Sequence, residues 1–233
     1  MIEMDIKTYG NKIGVIGVDR DRESNQYFNM IAVKDQVYQF KLPQSPNVLK
    51  FYVFDINEGE VPESTKFFVE KISLQRVKNK NQLIVDEDMA EFLRFSQKFA
   101  KNADILKPGK YKSRNGKFII NYYQTIEDDT DTPSRINIYD NEIDVSKEWF
   151  RNMTVPGRNA MLQHEFSHNY LDDPLDEWSE NKEIEKRADK NAAQIYKAIG
   201  YPGFEWMYSW LYIFDDVDDH IERLDASDAN MHV

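Results

Sequence analysis

Two of the chain's four histidines stand four residues apart, with a glutamate directly after the first, in the run His164-Glu165-Phe166-Ser167-His168. On a helix, positions i and i+4 lie one above the other on the same face, so both imidazoles can reach a single metal ion. Glu165 projects beside them, where it can act on a water bound to the metal without ligating the metal itself. Two imidazoles and a carboxylate suit zinc, and an open fourth position is what makes such a site catalytic. With so few histidines, random placement gives about 0.005 matches to this pattern in the whole chain. The run is therefore read as a metal site and not as two ordinary histidines on a helix.

A third protein ligand is needed. Pro174 stands six residues after His168, which excludes the arrangement in which a third His or Asp follows at that spacing. Asp172, Asp173, Asp176, Glu177 and Glu180 fall in a polar connecting loop and read as solvated surface. Glu183 and Glu185 both stand in the first turn of the next helix, where a carboxylate can be held rigidly against the first helix. Asp189, one turn beyond Glu185, can accept the free ring N–H of His164 and so fix the tautomer of a ligating histidine. Glu183 has no such companion and remains the rival to Glu185. Ala188 is small enough to let the two helices approach.

The rest of the composition narrows the chemistry. The 233 residues include no cysteine, which removes disulfide scaffolds, thiolate zinc sites and cysteine nucleophiles together. The net charge of −11 argues against nucleic acid as a partner, because phosphate contacts need clustered Lys and Arg. An apolar content of 41% is enough for a packed core. Met1–Lys7 alternates apolar and charged residues without an apolar run, so no signal peptide is expected. Trp206–Phe214, the longest apolar and aromatic run, is too short to span a bilayer. A cytoplasmic protein with no membrane partner is the expectation.

The elements that must position the motif fall into two halves. Residues 1–85 carry 12 basic and 11 acidic side chains, whereas residues 86–233 carry 18 and 30. Strand-like runs at Ile13/Val15, Tyr27–Val33, Tyr38/Phe40/Leu42, Phe51–Ile56 and Phe67–Val77 predict a small antiparallel β domain over 1–85. From Asp86 the period turns helical, with Met89, Phe92, Leu93, Ser96, Phe99, Ala100 and Ala103 on one stripe. Strands at Tyr111–Arg114 and Lys117–Tyr123 flank the hairpin signal Asn115-Gly116. Another strand follows at Arg135–Tyr139, with a continuation through Ile143 and Val145. A helix is expected from about Pro156 to Tyr170 and a second from about Asn181 to Ile199, the latter ended by Gly200 and Pro202. The tail from Phe204 reads as further helix with an aromatic face. The fold class is α+β.

The run HEFSH, followed by a helix carrying Glu185-Lys186-Arg187-Ala188-Asp189, resembles the zincin superfamily of metallopeptidases in its glutamate-ligand (gluzincin) branch. The resemblance covers roughly residues 86–200 and implies a minimal zincin core of helix, short mixed sheet, HExxH helix and ligand helix. In that core, the strand before the HExxH helix forms a sheet edge that pairs with extended substrate. It implies one Zn²⁺ held by His164, His168 and Glu185, with Glu165 as general base and Asp189 behind the ligands. The activity implied is hydrolysis of a peptide bond in a protein or peptide substrate. A donor for the oxyanion is then needed, and Tyr208, Tyr212, His220 and Arg223 in the tail are the candidates. The tyrosines also belong to an aromatic stripe that reads as core, and His220 to an acidic helix face.

The compact, cysteine-free composition with an added β domain is also similar to zincin-like proteins of tailed bacteriophages. That resemblance implies an alternative of another class, a structural component of a virion tail or capsid with vestigial or maturation-limited activity. Its assembly partners would dock through residues 1–85, and it would reside in the host cytoplasm or the virion.

Overall fold

The computed structural model describes residues 1–56, 67–75, 86–127, 132–137, 140, 142–171, 182–201 and 206. The chain divides into two compact units, Met1–Lys80 and Asn81–Val233. Among the described residues the fold is mixed α+β, with three small sheets and four helices. None of these helices is long and apolar enough to cross a membrane.

The first unit is built from two three-stranded antiparallel sheets. One has β1 (Ile2–Lys7) between β4 (Gln36–Phe40) and β6 (Phe68–Leu74). The other has β2 (Ile13–Asp19) between β3 (Arg22–Ala32) and β5 (Leu49–Asp55). The alternation of apolar and charged residues at the amino terminus is the period of a half-buried strand. Ile2, Met4 and Ile6 point into the core, while Glu3, Asp5 and Lys7 alternate with them. The inner faces meet through Phe28 of β3 and Phe40 of β4, whose rings stack at 4.3 Å. Gly17 of β2 is required by that packing, because a Cβ there would fall 2.3 Å from the Phe28 ring. Two expected strands are corrected in extent. β3 starts at Arg22, well before Tyr27, and β4 ends at Phe40 before reaching Leu42.

The second unit begins with α1 (Glu87–Asn102). Asp86 caps it by accepting the Met89 N–H at 2.7 Å. Met89, Phe92, Leu93, Ser96, Phe99 and Ala100 are all buried, so the period-3.6 stripe is the face that packs. A four-stranded mixed sheet follows in the order β7-β8-β10-β9. Its strands are β7 (Gly109–Lys112), β8 (Ile119–Tyr123), β9 (Ser134–Ile136) and β10 (Ile143–Ser146). The turn between β7 and β8 is at Asn115-Gly116, with Gly116 at φ 74°. β8 and β10 run parallel, and the other two pairings are antiparallel.

Here two expectations are corrected. The expected continuous strand from Arg135 through Val145 is two antiparallel strands, with Ile136 opposite Ile143 and Ser134 opposite Val145. The Asn137 N–H donates to the Glu142 carbonyl across the reversal. β10, the strand before the helices, is interior, so the sheet edge on that side is β9. The periodicity could not separate them, because both strands are short and apolar on the same face.

A short helix not expected from the sequence, α2 (Lys147–Asn152), leads into α3 (Val155–Tyr170). Thr154 caps α3 by accepting the Gly157 N–H. α3 is buried from Val155 to His168, because α1, the sheet and α4 (Lys182–Ala198) pack against different sides of it. Phe166 stacks on Phe92 of α1 at 4.1 Å. Tyr170, one turn further on, is exposed and donates its hydroxyl hydrogen bond to Asp86. Arg158 is fully buried and donates to the carbonyls of Phe150 and Ala100, binding α2 and α1 to α3 near their C-terminal ends. Gly200, at φ 100°, ends α4 in a Schellman motif. Its own N–H donates to Lys197 O and that of Tyr201 to Tyr196 O, with the two tyrosine rings stacked at 4.6 Å.

Candidate metal centre

The central position of α3 carries the motif into the interior. His164 and His168, one turn apart, are both buried, and their Nε2 atoms lie 3.2 Å from each other. α4 packs alongside and brings Glu185 over the pair. Its Oε2 lies 3.3 Å from His164 Nε2 and its Oε1 lies 3.5 Å from His168 Nε2. With one donor atom taken from each residue, the three ligand atoms fall within 4.8 Å of one another.

Two donors about 2.1 Å from a tetrahedral zinc stand about 3.4 Å apart. The 3.2 Å between the two Nε2 atoms and the 3.3 and 3.5 Å to the two different Glu185 oxygens lie near that value, and the donor set is the nitrogen and oxygen chemistry zinc accepts. The residues therefore fit the metal that the motif implies. The side chain of Glu185 is 32% exposed while those of the histidines are below 10%, so the group opens to solvent on the carboxylate side.

Asp189, fully buried one turn along α4, places Oδ1 2.8 Å from His164 Nδ1. A carboxylate there favours a proton on Nδ1, so Nε2, which faces His168 and Glu185, is the nitrogen that would bind a metal. Ala188 between the two carboxylates is fully buried, in keeping with close helix approach. Ser167 accepts a further hydrogen bond from Asn191, again linking α3 to α4. Glu183 sits elsewhere. Its side chain is 83% exposed and is paired with Lys186 at 3.5 Å, so it is not one of the converging ligands. Replacing Asp189 with asparagine is expected to weaken zinc affinity by roughly 10- to 100-fold, read by competition with a chelating dye.

The electrostatics without metal follow from burial and two carboxylates. Burial is the largest influence on His164 and pushes its pKa down, but Asp189 and then Glu185 outweigh it and raise it to about 10. A pKa raised above its unfolded value contributes stability that is complete below pH about 6.5 and is lost as pH rises through 10. The metal-free protein is therefore expected to lose thermal stability between pH 7 and 10. This component disappears in His164→Gln, as a series of unfolding scans would show.

Glu165 lies on the side of α3 that faces the sheet. Ser134 Oγ of β9 donates to its Oε1 at 3.1 Å, and the Ile136 N–H donates to the same carboxylate. Burial pushes the Glu165 carboxyl up, and His164, Ser134 and Ile136 pull against that. Ser134 and Ile136 escaped the sequence reading. Their signal was a strand whose core-facing position carries a serine, and the expected strand began one residue too late to include it. Of the remaining candidates, Tyr208, Tyr212, His220 and Arg223 lie outside the described residues, as does the acidic segment 172–180.

No protein-family model matches the chain, and neither the curated proteins nor the solved structures compared with it give a match.

Proposed function

We propose that the chain is a zinc-dependent peptidase with a zincin-like second unit. The observation that carries this reading is the convergence of His164, His168 and Glu185 at zinc-ligand separations with an unligated carboxylate, Glu165, next in sequence. His164, His168 and Glu185 would hold the ion. A zinc ion there supplies Lewis acidity, polarising a scissile carbonyl and acidifying water.

The chain's own residues do the rest. Glu165 takes a proton from the attacking water and returns it to the leaving amine, the task of a general base and acid. Asp189 keeps the His164 ring oriented. Among the described residues β9 ends the sheet beside the helix that carries the motif, and its backbone turns the Ile136 N–H to Glu165. Support for a zincin-like arrangement is the order of helix, mixed sheet, motif helix and ligand helix in residues 86–198.

The test is incubation of the zinc-loaded chain with a proteome-derived peptide library, read by mass spectrometry. Cleavage that disappears with a chelator and returns with added zinc is the expected result. Absence of any zinc-dependent cleavage counts against the proposal.

A further inference from the structure

We propose that Ser134 is the positioning residue for Glu165, which rests on the peptidase reading only for its kinetic consequence. β9 presents Ser134 and Ile136 on the face of the sheet that looks into the core, opposite Val145 and Ile143. All three of these neighbours are buried and apolar, so a hydroxyl among them is costly unless it has a partner. The partner is Glu165 Oε1, 3.1 Å from Ser134 Oγ. Ser134 is itself fixed, since its backbone carbonyl accepts from Thr132 Oγ1 and its strand is paired to β10.

A glutamate has three rotatable side-chain bonds, and helix placement alone does not choose among its rotamers. A hydrogen bond from a rigid strand does choose. The Ile136 N–H adds a second anchor from the same strand. That donor belongs to the backbone and is present whatever side chain follows, so Ser134 is the part of the clamp that the sequence specifies. The clamp holds the carboxylate against β9, where it still feels the charge of His164. A base displaced by about an ångström can lose roughly 100-fold in rate, which sets the scale of the effect.

Two measurements on the full chain test this. In the zinc-loaded protein, acting on the best-cleaved peptide of the library, Ser134→Ala is expected to lower kcat by roughly 10- to 100-fold with KM nearly unchanged and zinc content intact. Ser134→Thr, which keeps the hydroxyl and suits a strand, is expected to recover most of the loss. In the metal-free protein, thermal unfolding of Ser134→Ala, Glu165→Ala and the double variant is expected to be non-additive, since the second substitution removes a contact already gone. Wild-type kcat in Ser134→Ala, or strictly additive unfolding shifts, would overturn the proposal. A non-additive cycle in a chain that cleaves no peptide would support the Ser134–Glu165 clamp while removing the peptidase reading.

Discussion

Glu165→Gln is expected to lower peptide cleavage by roughly 10²- to 10⁴-fold while one zinc stays bound per chain. The carboxamide has nearly the shape of the carboxylate, and its oxygen can still accept from Ser134 Oγ, so the packing of α3 against β9 survives. What it cannot do is take a proton. Glu165 lies outside the converging ligand group, so metal content is expected to be that of the wild type. The pair of readings, rate and zinc per chain, separates a lost base from a lost metal. Cleavage at the wild-type rate in this variant would remove Glu165 from its role.

The second large effect concerns the third ligand. Glu185→Gln is expected to weaken zinc binding by on the order of a hundredfold or more, because one of three protein donors becomes a neutral amide. Glu183→Gln is expected to leave affinity within about twofold, since an exposed surface pair contributes little. Glu183 and Glu185 are two residues apart on a helix, about 200° around its axis, so they cannot face the same neighbour. Glu185 faces His164 and His168, and Glu183 faces solvent beside Lys186. Isothermal titration with zinc distinguishes the two variants directly. Equal losses in both would contradict the assignment of Glu185.

Much of this site was legible because helices announce their faces. The i, i+4 histidines, the alanine that allows close approach and the aspartate one turn beyond Glu185 are all properties of two helices read at a period of 3.6. The buried stripe of α1 and the stop at Gly200 were readable for the same reason. What was not legible lies in the sheet. The reversal between Ile136 and Ile143 is set by pairing with β8, a contact with residues more than twenty positions upstream. Nothing local in Arg135–Val145 marks it. Ser134 was missed on that account, because its importance depends on which strand lies at the edge next to α3. The amino-terminal strand shows the opposite case. Its alternation was visible in Met1–Lys7, but one strand alone does not say what it pairs with, and β1 is the middle strand of its sheet.

The most direct test of the account is metal analysis of carefully purified chain, wild type beside the His164→Ala, His168→Ala double variant. One zinc per wild-type chain and none in the double variant is the predicted result. A wild-type chain that neither carries zinc as purified nor takes up one equivalent on titration would contradict the central claim.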